Sequence, residues 1–144
     1  MSTSAGTERR TLGIRLLTPE GPVFDGVAQM VIVPSVAGEV GILARHAPFI
    51  AQLRVGDVRI HQPDGTIVVY ATTEGYMSVD DDHLLVLVEQ AELAEEIDRP
   101  RAETALADAE QILSDTALEE TTRLTAEKAK ARAENRIRVA DRGV

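Results

Sequence analysis

The pattern of hydrophobic and polar residues along the chain changes its period near Glu89. Before Glu89, short valine-rich runs alternate with turns that contain glycine and proline. After it, no glycine occurs until Gly143, Pro100 is the only proline, and the apolar residues recur at helical spacing. Short runs bounded by turns are typical of strands, whereas a spacing of three and four residues is typical of amphipathic helices. The pattern therefore predicts an all-β N-terminal region followed by a helical C-terminal region.

The N-terminal region contains roughly eight to ten candidate strands, and this number at this spacing predicts a sandwich or a barrel. Turn clusters at residues 18–22 and 63–65 separate neighbouring runs, and the two glycines of residues 38–43 indicate a bulge or a tight bend. We favour a β-sandwich domain over residues 12–90, preceded by a flexible tail over residues 1–11. The candidate strands are residues 12–17, 23–26, 29–33, 49–54, 57–61, 67–72, 76–79 and 84–88.

The first helix of the C-terminal region is predicted to begin after Asp98. Asp98 can cap the helix N-terminus, and Pro100 falls in the first turn, where its missing N–H costs little. Its apolar stripe has the i, i+3, i+4 spacing of an amphipathic helix. The stripe consists of Ala102, Ala105, Leu106, Ala109, Ile112 and Leu113.

A second helix is predicted to start near Thr116, because Thr116 and Glu119 have the spacing of a capping box. The connection around Ser114 and Asp115 is short, which favours an antiparallel two-helix C-terminal hairpin over residues 91–142. The apolar stripe of the second helix is rich in alanine, which buries little apolar area. Because burial contributes about 25 cal/mol per Å², we expect the hairpin to be only marginally stable. The second stripe is Leu118, Thr122, Thr125, Ala129, Ala133, Ile137 and Ala140.

Composition excludes several classes of protein. The chain has no cysteine, which rules out disulfides and thiolate chemistry. Its longest apolar run, residues 84–88, is far shorter than the ~20 residues that span a bilayer, so we expect no direct membrane insertion. Residues 1–10 lack the apolar core of a signal peptide. The net charge of −9 argues against a nucleic-acid partner.

Charge is unevenly distributed over the C-terminal region. Residues 89–120 carry 2 basic and 11 acidic groups, whereas residues 121–144 carry 7 basic and 3 acidic groups. Opposite charges on consecutive helices indicate either that the two segments pair with each other or that the basic end binds an acidic partner. The pattern leaves both alternatives open.

Candidate catalytic and metal-binding residues are sparse. Glu39 and His46 could form an acid–base pair, but no nucleophile accompanies them in the sequence. The three histidines do not cluster, so we expect no metal site. Residues 80–82 are three consecutive aspartates without the ligand spacing of a calcium loop, which favours a solvated turn. The sequence also lacks a glycine-rich loop for cradling phosphates, so a nucleotide bound here would be sensed rather than hydrolysed.

Residues 38–48 read Gly-Glu-Val-Gly-Ile-Leu-Ala-Arg-His-Ala-Pro. This segment resembles the Gly-Glu-x-Gly-Ile-x-x-x-His-Ala-Pro signature of the epsilon subunit of bacterial F-type ATP synthases. Residues 97–102, Ile-Asp-x-x-Arg-Ala, resemble the start of that family's helical hairpin, and the resemblance extends over nearly the whole chain. The chain departs from the family at Arg45 and Glu74, where glycine is usual, and at Ser78, where glutamate is common.

The resemblance implies a non-catalytic central-stalk subunit of a rotor that couples proton flow to ATP synthesis. In the family, the β domain binds the gamma subunit and sits on the ring of c subunits. The helical arm either folds down or extends towards the alpha and beta subunits, where it restrains ATP hydrolysis. The location implied is peripheral, at the cytoplasmic face of the bacterial cell membrane. Glu39 and His46 are the implied subunit contacts.

In many bacterial members of the family the folded arm binds ATP, so no cofactor is required but ATP is expected as a regulatory ligand. Asp98, Arg101 and Ala102 share a helix face, Ala102 leaves room for a base or ribose, and two arginines spaced i, i+4 can face one phosphate group. The alternative is that these residues form ordinary interhelix salt bridges, worth about 0–1 kcal/mol each. The residues that match the family's nucleotide motif are Glu92, Ile97, Asp98, Arg101, Ala102, Arg132 and Arg136.

Two other function classes compete with the stalk subunit. A stand-alone ATP-binding sensor would carry the same arm but would not copurify with a gamma subunit. An enzyme is the weakest hypothesis, because no nucleophile, base and oxyanion donors converge in the sequence.

Overall fold

The computed structural model of the protein describes residues 10–142. Of the flexible tail expected over residues 1–11, only residues 10 and 11 lie within this range. The chain divides into two compact units, the first ending at Ala91 and the second beginning at Glu92. We call them the β unit and the helical unit. We expect the β unit to fold without the helical unit, because its strands supply a core of their own.

Ten strands lie within the described residues, and the tenth spans the boundary between the units. Each of the runs expected to be strands overlaps one of them, and two runs extend one residue too far, at Gln29 and at Arg54. Their bounds are β1 (Leu12–Thr18), β2 (Gly21–Ala28), β3 (Met30–Ser35), β4 (Gly38–Leu43), β5 (Phe49–Leu53), β6 (Gly56–His61), β7 (Ile67–Thr72), β8 (Gly75–Asp80), β9 (His83–Val88) and β10 (Ala91–Leu93).

In the β unit the strand order is β7-β6-β3-β5-β8-β9-β1-β2, with β4 paired to β3. Neighbours are antiparallel except for β1 and β9, which pair in parallel. Strand β3 pairs with β6 over Met30, Val31 and Ile32 but with β5 only at Ser35. Strand β3 therefore pairs within two parts of the sheet, as strands do at the corner of a β-sandwich. The predicted β-sandwich followed by a helical hairpin is confirmed.

The core of the β unit is built from large aliphatic side chains on alternating strand positions. On β1, Ile14 and Leu16 are fully buried while Arg15 between them is exposed, as the pleat requires. The same alternation recurs on the neighbouring strands. The largest fully buried side chains are Leu12, Ile14, Leu16, Val31, Val33, Ile42, Leu53, Val58, Ile60, Met77, Val79 and Leu84.

Gly38 at the start of β4 marks a tight bend, and neither glycine of this strand forms a bulge. Strands β3 and β4 pair without interruption from Met30 opposite Leu43 to Ser35 opposite Gly38. Gly38 has a φ of 130°, which favours glycine, and its carbonyl accepts a hydrogen bond of 2.6 Å from the Ser35 hydroxyl. The alternative of a bulge in this segment is therefore wrong. A register shift occurs instead between Leu16 and Leu17, where β1 pairs with β2.

The first helix, α1 (Arg99–Leu113), begins as the sequence predicts. The Asp98 carboxylate accepts a hydrogen bond of 3.1 Å from the backbone N–H of Arg101, and Pro100 lies in the first turn. This contact satisfies one of the N–H groups that a helix start leaves without a partner. Asp98 is confirmed as the N-cap.

The second helix, α2 (Glu120–Arg142), begins later than predicted. The Asp115 carboxylate accepts a hydrogen bond of 2.9 Å from the N–H of Ala117, which stabilises a turn ahead of the helix. Thr116 lies within that turn, so the predicted capping box with Glu119 is wrong. The connection covers residues 114–119.

The two helices form an antiparallel hairpin, as expected. Arg99 at the start of α1 lies 2.5 Å from Asp141 near the end of α2. The stripe predicted for α2 is only partly right: Ala133 is buried, whereas Thr122, Thr125 and Ala129 are exposed. Alanine and threonine differ too little in hydrophobicity to fix the phase of a helix. The buried residues of the two helices are Ala102, Ala109, Ala126, Ala133, Asn135 and Val139.

Candidate functional site

Within the helical unit, Glu92 and Arg136 are brought together although they are 44 positions apart. The Arg136 Nε atom donates to the Glu92 Oε2 atom over 3.0 Å. The side chains are only 34% and 24% exposed, so water screens this pair less than it screens a surface salt bridge. The pair joins β10 to α2 and unites two of the candidate nucleotide residues.

The start of α1 carries four further candidates. The Asp98 carboxylate caps the helix through the N–H of Arg101, so part of its acceptor capacity is already used. The side chains of Asp98 and Arg101 are exposed, whereas Ile97 is half-buried. Ala102 is fully buried. In this conformation Ala102 therefore packs in the interior instead of presenting a surface to a ligand.

Arg132 and Arg136 occupy successive turns of α2. Their i, i+4 spacing places them on neighbouring positions of one helix face, and both are half-buried. Lysine in place of either would lose the planar fork that matches phosphate oxygens. The helix thus presents two guanidinium groups on neighbouring turns of one face.

The contacts of Arg99 and of Asn135 in the helical unit were not anticipated from the sequence. Arg99 bridges Glu103, at 3.1 Å, and Asp141, at 2.5 Å. Asn135 is buried, and its Oδ1 atom accepts a hydrogen bond from Arg138. The antiparallel hairpin could have indicated the contact of Arg99 with Asp141, because it brings the start of α1 to the end of α2. The contact of Asn135 had no signal in the sequence pattern.

The charge pattern of the two helical segments is partly explained by these contacts. The ion pair of Glu92 with Arg136 joins the acidic and the basic segments, as one of the two alternatives expects. Other basic residues pair within α2, Arg123 with Glu120 and Lys130 with Glu134. The alternative of an acidic partner for the basic end stays a prediction.

In the β unit, the two candidate contact residues have separate partners. The Glu39 carboxylate accepts a hydrogen bond of 2.7 Å from Arg59. The His46 Nδ1 atom lies 2.7 Å from the Ala47 carbonyl oxygen, and its ring packs 5.8 Å from that of Phe49. Glu39 is thus engaged by an arginine, which disfavours its use as the acid–base partner of His46.

A left-handed residue occupies the loop between Glu39 and His46. Arg45 has a φ of 66°, and its backbone N–H donates to the Asp82 carboxylate over 2.5 Å. Asp81 and Asp82 also have positive φ, 49° and 57°, and form a two-residue turn between β8 and β9. The three aspartates therefore build a hairpin turn. Over residues 10–142, no group of three or more His, Asp and Glu side chains is arranged to hold a metal ion.

The architecture of a β-sandwich followed by a helical hairpin is matched by known proteins. Residues 11–94 match the family described as "ATP synthase, Delta/Epsilon chain, beta-sandwich domain". A chain from an Exiguobacterium species named ATP synthase epsilon chain is 40% identical over 91% of this chain and 96% of its own length. A chain of the same name from Halalkalibacterium halodurans is 40% identical over 92% and 98%. This chain belongs to the ATP synthase epsilon chain family.

Solved structures share the fold at lower identity. A chain in the Euglena gracilis mitochondrial ATP synthase has a TM-score of 0.74 at 22% identity, with 85% of this chain and 76% of that chain covered. A chain in the central stalk and c-ring structure of the Tetrahymena thermophila mitochondrial ATP synthase has a TM-score of 0.54 at 15% identity, with 89% and 95% covered. In the part of the chain that the structure describes, no helix has the length and apolar character to cross a bilayer.

Proposed function

We propose that this chain is a non-catalytic subunit of the central stalk of a proton-translocating ATP synthase. It couples proton flow to ATP synthesis and restrains ATP hydrolysis through its helical arm. Family membership supports the assignment to the ATP synthase. The observation that carries the regulatory part is the division into a β unit with a large aliphatic core and a helical unit whose buried residues are mostly alanine. A helical unit that buries so little apolar area is suited to exchanging one binding partner for another.

The partners follow from this assignment. The β unit binds the gamma subunit and the c ring, with Glu39 and His46 at a subunit contact. The extended arm reaches the alpha and beta subunits, where the basic residues of α2 meet acidic side chains. The complex holds the chain at the cytoplasmic face of the bacterial cell membrane. The relatives named ATP synthase epsilon chain support membership of this complex.

Removal of the arm tests the restraint on hydrolysis. ATP synthase stripped of this subunit is reconstituted either with the full chain or with a chain that ends at Glu89. The shortened chain should give faster ATP hydrolysis while still copurifying with the gamma subunit. Equal hydrolysis rates in the two preparations, with both chains bound, would reject an inhibitory arm. A full chain that fails to copurify with gamma would instead favour the stand-alone sensor.

A second candidate function, ATP sensing, is favoured by the ion pair of Glu92 with Arg136. The pair brings two residues of the nucleotide motif to one place in the helical unit. Arg132 and Arg136 would bind phosphate oxygens, Glu92 and Asp98 would orient the rest of the nucleotide, and Arg101 would add positive charge. Binding to the folded arm alone would stabilise it by mass action, so high ATP would favour the uninhibited state. The shift is limited by the difference in ATP affinity between the two arm positions.

Calorimetry on the full chain with millimolar ATP tests the sensor. The wild-type chain should bind, and the double variant Arg132→Ala/Arg136→Ala should lose at least about tenfold in affinity because it lacks both phosphate forks. Arg123→Ala is the matched control, since Arg123 is an exposed arginine of the same helix that pairs with Glu120. If the wild-type chain gives no heat of binding and no thermal shift with ATP, the motif residues form only a salt-bridge network.

A further inference from the structure

Three charged side chains lie on one face of the sheet around strand β3. Arg59 of β6 pairs opposite Ile32 of β3, and Glu39 of β4 pairs opposite Pro34 of β3. Ile32 and Pro34 are two positions apart on one strand, so their side chains and those of their partners point to the same face. The Arg59 side chain therefore reaches across β3 to the strand on its other side.

Arg59 contacts two carboxylates at once. Its Nη2 atom lies 2.7 Å from the Glu39 Oε1 atom, and its Nε atom lies 3.3 Å from the Asp57 Oδ2 atom. The exposed fraction of the side chains falls from 52% at Glu39 to 29% at Arg59 and 9% at Asp57. The contact with Glu39 is a hydrogen bond, whereas the contact with Asp57 is an ion pair in which Nε makes no hydrogen bond.

The burial of Asp57 anchors this chain of contacts. A carboxylate removed from water requires a compensating positive charge, and Arg59, two residues along the same strand and on the same face, supplies it. The charge of Asp57 thereby attracts the guanidinium from the buried side, while the Nη2 atom of Arg59 donates to Glu39. By contrast, the ion pair of Arg15 with Asp25 is 3.5 Å long and exposed at both ends, at 54% and 65%.

We propose that Asp57 and Arg59 are positioning residues, which hold the Glu39 carboxylate in place for a hydrogen-bond donor on the neighbouring stalk or ring subunit. This inference rests on the proposed subunit contact at Glu39. Arg59 occupies one oxygen of that carboxylate, and a carboxylate has further acceptor sites for a second donor. A side chain that is already held in one rotamer loses less conformational entropy on association, which strengthens binding.

The test is the affinity of the full chain for ATP synthase stripped of this subunit. Glu39→Ala should weaken binding about tenfold, because a charge-assisted hydrogen bond is lost. Arg59→Lys should weaken it about three- to fivefold, because a lysine lacks the planar fork that places one nitrogen beside Asp57 while another donates to Glu39. Arg15→Lys is the matched control, as it alters an exposed arginine–aspartate pair elsewhere on the sheet and should leave affinity unchanged. Thermal unfolding of each variant verifies that it is folded.

A double-mutant cycle separates positioning from a direct contact of Arg59. In the Glu39→Ala background, Arg59→Lys should cause no further loss of affinity. Asp57→Asn, a second variant of similar size, should weaken binding only when Glu39 is present. If either variant loses as much affinity without Glu39 as with it, the positioning role is wrong. Wild-type affinity of both Arg59→Lys and Asp57→Asn would also overturn that role, while leaving the subunit contact at Glu39 intact. Wild-type affinity of Glu39→Ala would reject the subunit contact itself, and with it this inference.

Discussion

The β unit and the helical unit differ in what lies in their interiors. The β unit fully buries leucine, isoleucine, valine and methionine side chains from strands across the sheet, whereas the helical unit buries five alanines, one valine and one asparagine. Full burial of a large aliphatic side chain contributes about 1.5–3 kcal/mol, and alanine contributes much less. The comparison indicates that packing fixes the β unit, while a few ion pairs and caps select the conformation of the hairpin.

The largest expected effect is a truncation in the core of the β unit. Ile14→Ala should destabilise the β unit by about 4 kcal/mol, because it leaves a cavity at a fully buried position. Leu106→Ala, at a half-buried position of α1, should destabilise the hairpin by only about 1 kcal/mol. Both tyrosines, Tyr70 and Tyr76, lie in the β unit and the chain has no tryptophan, so intrinsic fluorescence during urea unfolding reports on the β unit.

Circular dichroism of the same samples reports on the helices. Leu106→Ala should leave the fluorescence transition in place and move only the helical signal. If Leu106→Ala shifts the fluorescence midpoint as far as Ile14→Ala does, the two units unfold together and the contrast between their interiors is wrong.

The next effect concerns a glycine of the β unit that the fold requires. A Cβ atom at Gly75 would lie 1.9 Å from the Leu87 carbonyl oxygen, which is backbone and cannot rotate away. Gly75→Ala should therefore lower the free energy of unfolding by about 2–3 kcal/mol through forced separation of β8 and β9. Gly13→Ala is the control, since its nearest contact would be an ordinary 3.7 Å. Equal urea midpoints for the two variants would contradict the close approach.

A smaller effect of opposite sign is expected at Arg45. A left-handed conformation costs a non-glycine residue about 1–2 kcal/mol, part of which glycine loses again through its greater freedom in the unfolded chain. Arg45→Gly should therefore stabilise the β unit by about 0.5–1 kcal/mol in urea unfolding. Arg54→Gly, at a residue without positive φ, should be destabilising instead. Destabilisation by both substitutions would show that the Arg45 side chain contributes more to the free energy of unfolding than its left-handed backbone costs.

The smallest effect is a pH dependence at the turn between β6 and β7. The Asp64 carboxylate accepts hydrogen bonds from the Thr66 hydroxyl, at 2.6 Å, and from the Thr66 N–H, at 2.9 Å, which lower the pKa of Asp64 below its ordinary 3.8. A group whose pKa is lower in the folded state stabilises the fold above the unfolded pKa, and that contribution disappears as pH falls through the folded pKa. In Asp64→Asn this pH-dependent contribution should be absent.

Thermal unfolding of the wild type and Asp64→Asn as a function of pH provides the measurement. The difference between their midpoints should be constant at neutral pH and shrink as the pH falls below 3.8. A difference that stays constant down to the most acidic conditions would show that the two hydrogen bonds do not depend on the charge of Asp64.

The sequence predicted features that depend on neighbouring residues better than those that depend on distant ones. The strands bounded by glycine and proline, the cap at Asp98 and the antiparallel hairpin all follow from residues within a few positions of each other. The start of α2 was misplaced because two local motifs compete there, and the Asp115 turn prevails over the Thr116 capping box.

Long-range contacts of the candidate sites had no local signal. Arg59 reaches Glu39 across an intervening strand, and its position became evident only from the register of β3 with β4 and β6. Glu92 and Arg136 were both candidates from the resemblance, but their direct pairing depends on how β10 and α2 come together. Burial of Ala102 likewise follows from packing, which spacing along one helix does not specify.

The parallel pairing of β1 with β9 has a consequence for synthesis of the chain. Strand β1 is translated early, but the partner that completes its second edge ends only at Val88. At roughly 5–20 residues per second, several seconds pass before the ribosome has made both strands. During that interval β1 can pair with β2 while its other edge stays open to wrong pairing. The β unit therefore closes late, in a step that joins its first strand to its ninth, and its folding rate should be limited by that long-range contact.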